Sequence, residues 1–549
     1  MPALKFKCDS CGHNADATGK EYIINGKSVI RLSCNHLRVK EPLDPRDPAN
    51  CESLDGKKLL GYQVDGVKFV EKSGGRCLIA DEMRLGKTVQ ALTFLKLHPE
   101  QMPILCVVKS SIKIQWQREI LRWCGEDAFA QIITDMNFLP GLPAYIVSYD
   151  MLRRLSGVKA ARKEAVDAAR ADYAKNGHLT ATAPTVIENQ LVKMIKKLKI
   201  KTIILDECQQ IKNTTSQRTQ EVREICAVVD NVIALSGTPI KNHALEYYPV
   251  LNILRPELFP TESGFIQRHI QTTYSGKLAG LSNPEYFKDI TKSFIIRRER
   301  KDAMPDMPSI WRDFSFHELS KNVEAAYIEQ MKRFNEEYEE GNNSFAAQAS
   351  ILAYLSTMRH LTGISKVGPC VDYVEEFLGS TDRKITIFVH HKDVGELLMI
   401  KLKPILEELG IAPAQNLTSS LNDEQRQKIV DTFQYGGTRV LVASTLASGE
   451  GLTLSSCSDF IMLERQWNPA NEEQAESRFP HVEKTDIKIN GTYFVAVGTV
   501  DEFFAELVEK KREIVTKTLG GEACKWDESS LMKELASTLY AKGGKKWGF

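Results

Sequence analysis

Five short apolar runs in the first half of the chain constrain its fold more than any other feature. They are "CLIA" (77–80), "ILCVV" (104–108), "YIVSY" (145–149), "TIILDE" (202–207) and "VIALSGT" (232–238). Each ends in small, polar or acidic residues, and helical patterns lie between several of them. Continuous apolar runs of this length read as strands buried on both faces, and so as a parallel sheet. Four more runs follow: "ITIFVH" (385–390), "VLVAS" (440–444), "FIML" (460–463) and "TYFVAV" (492–497). They outline a second domain of the same kind. Residues 243–370 between the two sets read as largely helical, as in "VEAAYIEQMKRFNEEYEE" (323–340). The expected class is α/β, with two doubly wound parallel-sheet lobes whose ligands sit at the carboxyl ends of the strands.

Composition narrows the functional classes. The 549 residues are 42% hydrophobic and 26% charged, enough for several domains with their own cores. A net charge of +1 excludes a uniformly basic nucleic-acid coat, so any such site must be a local groove. Met1 begins no apolar core of signal-peptide length, and no run reaches transmembrane length, so no membrane partner is expected. Twelve cysteines, too sparse for a small disulfide scaffold, imply a reducing compartment. Residues 153–200, with "VKAARKEAVDAARADYAKNG", read as an exposed helical insertion. The basic segment "KMIKKLKIK" (193–201) reads as a solvated amphipathic helix rather than a DNA grip.

The chemistry starts at "LIADEMRLGKTVQ" (78–90). Gly86-Lys87-Thr88 follows a strand and opens a helical pattern, the context in which such a tripeptide binds phosphate. Backbone N–H groups at the helix start would cradle phosphates, Lys87 would neutralise β/γ oxygens, and Thr88 would ligate Mg²⁺. Downstream, Asp206-Glu207 closes a strand. Asp206 would hold the Mg²⁺ shell, and Glu207 would orient and deprotonate the attacking water of ATP hydrolysis.

With these motifs in hand, the chain resembles the Swi/Snf-type ATPases of helicase superfamily two, from about Leu59 to about Gly520. "LLGYQVDGVKFV" looks like the family's adenine-side motif, which makes Gln63 a candidate for the adenine. "DEMRLGKT" is similar to its phosphate loop, including Asp81; Glu82, Met83, Arg84 and Leu85 complete the loop. "CVVKSSIKIQWQREI" puts Trp116 and Glu119 at the family's usual places. "IVSYDML", "DECQQIKN", "LSGTPIKNHALEYYPVLNILRPELF" and the Arg-Arg stretch "FIIRRERKDAMPDMP" follow in order. So do "STMRHLTG", "ITIFVHHKDV" and "LTSSLNDEQRQKIVDTFQ" with Arg426. The strongest match is "VASTLASGEGLTLSSCSDFIMLERQWNPANEEQAESR", which carries Gly449, Gly451, Trp467, Asn468, Pro469, Gln474 and Arg478. "TVDEFFAELVEKKREIV" resembles the closing brace helix.

The resemblance implies RecA-like lobes with ATP between them. Lobe one would supply Gln63, Lys87, Thr88, Asp206 and Glu207; lobe two would supply Arg478, with Gly449, Gly451 and His481 near the nucleotide. It also implies tracking on duplex DNA, branched or protein-bound included, without strand separation. Phosphate-directed contacts would come from Lys109, Ser110, Ser111, Lys113, Ser148, Tyr149, Ser444, Thr445, Ser448 and Trp467. Two departures stand out. Arg84 replaces the family's usual glycine, which is tolerable if its backbone does not need a positive φ. Its guanidinium either leans toward a phosphate or a carboxylate, or stays in solvent. His481 stands where the family has a second arginine, leaving Arg478 to suffice, hydrolysis to be slow, or a neighbour such as Lys484 to substitute.

Near the start of the chain, Cys8, Cys11, Cys34 and His36 form two close pairs that suit a tetrahedral structural Zn²⁺, with His13 and Cys51 as substitutes; idle thiols are the other reading. The expected layout is a zinc-knuckle module over 1–52 and lobe one over 53–310. Lobe one carries the insertion at 153–200 and a helical protrusion at about 243–300. Lobe two covers 311–520 with a protrusion at about 318–368, and 521–549 form a tail. The expected activity is a Mg²⁺-ATP-driven DNA translocase or remodelling ATPase, monomeric, in a bacterial or phage-infected cytoplasm or on the nucleoid. A strand-separating DNA or RNA helicase and a nucleic-acid scaffold with weak ATPase are the alternatives.

Overall fold

The computed structural model describes residues 46–157, 189–237, 244–272, 278–305, 310–339, 345–445, 454–466, 469–479 and 487–506, with 508–509, 536 and 539–540. Before residue 46 it describes four strands only: β1 (Lys5–Lys7), β2 (Asn14–Ile24), β3 (Lys27–Leu32) and β4 (Leu37–Val39). These pair antiparallel in sequence order, with Tyr22 opposite Val29 across the β2–β3 hairpin. The four expected zinc ligands Cys8, Cys11, Cys34 and His36, and the substitute His13, lie outside the described residues.

Lobe one is a seven-stranded, fully parallel sheet. Its strands are β5 (Arg76–Ile79), β6 (Ile104–Val108), β7 (Ala130–Ile132), β8 (Ala144–Ser148), β9 (Thr202–Leu205), β10 (Asn231–Leu235) and β13 (Ile295–Ile296). The spatial order is β13-β5-β10-β9-β6-β8-β7. Successive strand residues point to opposite faces, so each strand feeds two cores. Cys77 and Ile79 join Val67, Leu95, Trp116 and Ile120 on one face. That face is covered by α1 (Gly61–Lys72), α2 (Lys87–Leu97) and α3 (Lys113–Cys124). Leu78 joins Val107, Leu205, Leu152, Ile195 and Val222 on the other. There α4 (Tyr149–Ser156) and the helices Gln190–Leu198, Gln217–Cys226 and Tyr248–Leu254 pack. Burial on both faces is why these strands are legible as unbroken apolar runs. Cys51, the other substitute zinc ligand, is buried in the first of these cores.

Lobe two repeats the plan with six parallel strands in the order β14-β19-β18-β15-β17-β16. They are β14 (Ile310–His317), β15 (Ile385–Val389), β16 (Gln415–Leu417), β17 (Val440–Ser444), β18 (Asp459–Met462) and β19 (Ile489–Ala496). Ile385, Ile387 and Val389 face one core, and Phe388 the other.

The helical reading of 243–370 holds for Tyr248–Leu254, Glu262–His269, Pro284–Thr291, Lys321–Glu339 and Phe345–Ser365 but not throughout. The segment also contains the hairpin β11 (Ile270–Thr272) with β12 (Leu278–Leu281), the edge strand β13 and the eight-residue strand β14. Edge strands are covered on fewer sides and alternate apolar with polar residues, so the run signal is weak. In β14, Trp311, Phe314 and Phe316 are exposed. Helix Gln190–Leu198 seats Leu191 and Ile195 in the core and keeps its lysines outside, as an amphipathic surface helix should. Residues 158–188 of the expected insertion lie outside the described residues. Among the described residues, no helix is long and apolar enough to cross a membrane.

Candidate active site

Three neighbouring strands of lobe one, β5, β10 and β9, deliver their carboxyl ends to one place. After β5 the chain forms the loop Ala80–Gly86 and turns into α2. Gly86 caps that helix with φ 71° and ψ 41°, left-handed backbone that glycine adopts without steric cost. After β10 come Ser236 and Gly237. A Cβ on Gly237 would lie 2.6 Å from Met83 Cγ and 3.5 Å from Lys87 Nζ, so glycine keeps this side of the ammonium open. After β9 come Asp206 and Glu207.

Lys87 Nζ donates to the loop carbonyls of Asp81 (2.9 Å) and Glu82 (3.2 Å). Burial pulls its pKa down, opposed by the carboxylates of Glu207, Asp81, Asp206 and Glu82. Asp206 is pushed up to about 6, first by burial and then by Glu207. Both of its oxygens have donors: Trp116 Nε1 reaches Oδ2 at 2.7 Å and the Glu207 amide reaches Oδ1 at 3.0 Å. Glu207 itself sits in the left-handed region (φ 49°), and its Oε2 accepts from Gln209 Nε2. Gln209 Oε1 in turn accepts from Ser236 Oγ at 2.7 Å, linking β9 to β10 at the site.

The loop is braced from behind by residues near the end of lobe one. The carboxylate of Asp81, fully buried, accepts from the Arg298 amide (3.1 Å), from Arg298 Nε (3.0 Å) and Nη2, and from Gln90 Nε2 (3.1 Å). Glu82 accepts from the Arg300 amide at 2.7 Å and from Arg300 Nε at 2.9 Å. The side chains of Asp81 and Glu82, expected at the nucleotide, are thus committed to the loop's own support. Gln63 is buried as well: its Oε1 accepts from the Leu60 amide (3.0 Å) and its Nε2 donates to Leu85 O (3.4 Å), so here it steadies the loop. Leu85 is core, and Thr88, one residue into α2, is partly exposed.

Arg84 departs from expectation. Its φ is 74°, so the position does use the left-handed region, at a cost of about 1–2 kcal/mol for a non-glycine residue. Nor is the side chain in solvent. Its Nε donates to Ser477 O of lobe two, and its Nη2 is buried without a hydrogen-bond partner among the described residues. Ser477 Oγ also approaches Met83 Sδ at 3.9 Å. The adjacent Arg478 lies near enough to depress the Arg84 guanidinium, with burial the larger cause and Arg300 the third. The site is therefore shared between the lobes, with the residue before Arg478 bound to the phosphate loop. The helix leading to it, Pro469–Glu476, is anchored by buried Arg465, which pairs with Glu472 at 2.7 Å. Gly449, Gly451 and His481 lie outside the described residues.

A triphosphate with Mg²⁺ fits these residues on three observations. The ammonium of Lys87 is satisfied only by loop carbonyls that a phosphate could replace. Two carboxylates stand at the end of β9, across β10 from the loop. A buried guanidinium nitrogen of Arg84 lacks an acceptor among the described residues.

The expected DNA contacts divide. Lys109 and Ser111 are partly exposed and Ser110 is exposed at the end of β6. Ser148 and Tyr149 are buried, and the Tyr149 hydroxyl donates to Asp206 O at 2.8 Å, so neither side chain is available to a phosphate here. Lys113 is held by Asp423 of lobe two at 2.9 Å, beside a bidentate pair between Arg118 and Asp431 at 3.0 and 2.9 Å. Thr445 is buried and donates to Val389 O at 3.2 Å, while Ser444 is partly exposed at the end of β17. Ser448 and Trp467 lie outside the described residues. Sequence reasoning gave no role to Arg298, Arg300 or Gln209, nor a partner to Trp116. The Arg-Arg stretch and the placed Trp116 were the available signals.

Comparison with known proteins gives two domain matches: the SNF2-related domain over residues 62–363 and the helicase conserved C-terminal domain over residues 370–480. The DNA annealing helicase and endonuclease ZRANB3 of Mus musculus is 25% identical over 508 residues, covering 90% of this chain and 42% of that protein. The Caenorhabditis elegans homologue of SWI/SNF-related matrix-associated actin-dependent regulator of chromatin subfamily A-like protein 1 is 27% identical over 469 residues, covering 84% of this chain and 61% of that protein. The chain thus spans 42% and 61% of the length of these two relatives. Among solved structures, the Sulfolobus solfataricus SWI2/SNF2 ATPase core in complex with dsDNA is 21% identical, with 90% of this chain and 98% of that chain covered and a TM-score of 0.37.

Proposed function

Because the chain belongs to the SNF2-related family, the DNA-dependent ATP hydrolases of helicase superfamily two, we propose that it is a Mg²⁺-ATP-driven motor that tracks on duplex DNA. The observation that carries the reading is the meeting of Lys87, Asp206 and Glu207 at the carboxyl ends of β5 and β9, with the lobe-two segment that carries Arg478 bound to the loop through Arg84 and Ser477. In this reading Lys87 and the amides opening α2 hold the β/γ-phosphates. Thr88 and Asp206 hold Mg²⁺, which neutralises charge on the phosphate oxygens. Glu207 orients the attacking water and takes its proton, with Gln209 fixing its carboxylate. Arg478 meets charge developing on the terminal phosphate.

ATP that touches both lobes favours their closure, and product release relaxes it. If each lobe holds the DNA backbone, the cycle becomes movement. Lys109, Ser110 and Ser111 of lobe one and Ser444 of lobe two are the phosphate contacts best supported by exposure. The Lys113–Asp423 pair suggests that Lys113 reaches DNA only after the lobes part. A cytoplasmic setting belongs to the same proposal.

ATP turnover measured with no nucleic acid, duplex DNA, single strands and RNA tests the reading. Stimulation by duplex DNA, lost in Lys87→Ala, is expected. Absence of stimulation by any nucleic acid would falsify it, and RNA-only stimulation would favour an RNA helicase. A structural Zn²⁺ on Cys8, Cys11, Cys34 and His36 is also proposed from their spacing. Elemental analysis should find one zinc per chain, lost in Cys8→Ser/Cys11→Ser; a metal-free purified protein ends that proposal.

A further inference from the structure

We propose that Arg84 is a second guanidinium ligand of the terminal phosphate of a nucleoside triphosphate, presented by the phosphate loop itself and acting on the same phosphate as Arg478. The inference rests on the ATP-hydrolase reading and extends it to a residue whose side chain the phosphate-loop pattern leaves free. Arg84 sits between Met83 and Leu85 in the loop, two residues before the cap of α2, so its side chain starts within the phosphate cradle. Its φ of 74° is one that L side chains rarely adopt. That backbone aims the guanidinium across the cleft, where Nε takes the carbonyl of Ser477, the residue before Arg478.

The charge around this guanidinium is unbalanced. Arg300 is neutralised by Glu82 at 2.9 Å, whereas no carboxylate pairs with Arg84 among the described residues. Burial depresses the Arg84 guanidinium most, and the charges that add to this are those of two other cations, Arg478 and then Arg300. Its Nη2 is buried with no acceptor among the described residues, and a buried charged donor without a partner is strongly unfavourable. A multiply charged anion between Arg84 and Arg478 would correct both faults at once, because a guanidinium fork matches phosphate oxygens. Arg84 bridges the loop to the lobe-two segment that carries Arg478. The phosphate it meets is therefore the one farthest from the nucleoside and nearest lobe two. A diphosphate ends short of it. Arg84 thus makes lobe closure depend on the presence of the third phosphate.

The test is equilibrium binding of ADP and of adenylyl imidodiphosphate, a non-hydrolysable triphosphate, to the full chain with Mg²⁺. The variants are Arg84→Gln, Arg84→Lys and Arg84→Gly; glycine relieves the left-handed backbone, which guards against misfolding. Arg84→Gln and Arg84→Gly should each lose about tenfold or more in triphosphate affinity while ADP affinity changes less than about twofold. Arg84→Lys should recover part of the loss. Equal loss for both nucleotides, or no loss for either, overturns the role of Arg84. Failure of the unaltered chain to bind either nucleotide overturns the ATP-hydrolase reading instead.

Discussion

Replacing Glu207 by glutamine is expected to lower the turnover of ATP hydrolysis by about 10²- to 10⁴-fold, the usual contribution of a positioned general base. Nucleotide affinity should change little, because the amide keeps the shape of the side chain and removes only its basicity. Glu207 lies one residue beyond Asp206, whose oxygens are already engaged by Trp116 and by the Glu207 amide. In the proposed mechanism the base is Glu207, whose carboxylate accepts from Gln209 Nε2. Single-turnover phosphate release, measured beside equilibrium binding of the triphosphate, separates the two effects. Turnover within a few-fold of the unaltered chain would assign the proton to another group.

The second large effect is structural. Replacing Arg298 by alanine should destabilise lobe one by about 3–5 kcal/mol, because it strands a fully buried carboxylate. Asp81 would keep Gln90 as a donor but lose its countercharge. The double variant Arg298→Ala/Asp81→Asn should recover a large part of that loss, since the stranded charge is gone. Urea unfolding followed through Trp116 and Trp123, both buried in lobe one, reads the result. Simple additivity of the two single changes would mean that the pair is not coupled. Nucleotide binding should fall in the single variant as well, because the loop carbonyls that position Lys87 belong to Asp81 and Glu82.

Much of the fold was legible because burial on both sides leaves an unmistakable mark. The strands that end at Ile79, Val108, Ser148, Leu205, Leu235, Val389 and Ser444 all come from unbroken apolar runs. Strands β7, β13, β14 and β16 were not read, because they are short or lie at or near sheet edges where apolar residues thin out. In the site, local motifs pointed to the loop and to the acidic pair. What they could not carry was the partner of each residue. Asp81 meets Arg298 across 217 positions of chain, and Lys113 meets Asp423 in the other lobe. Side-chain spacing holds no trace of such pairings. Tyr149 and Ser148 were placed at the groove from their strand end and from the family resemblance of their segment, whereas the structure buries both. Arg84 was judged on whether its backbone needed a positive φ, a question only three-dimensional geometry answers.

The attachment of the phosphate loop to Arg298 and Arg300 has a mechanical consequence. Both arginines follow β13 directly, on the stretch of chain that leaves lobe one and enters lobe two at Ile310. A pull on lobe two therefore does not stop at the lobe boundary. It arrives along the backbone at the two guanidinium groups that grip Asp81 and Glu82, and through them at the carbonyls under Lys87. In the proposed motor, the tether between the two halves and the seat of the nucleotide would act as one strap, so an opposing load on the track would be felt where the fuel is held.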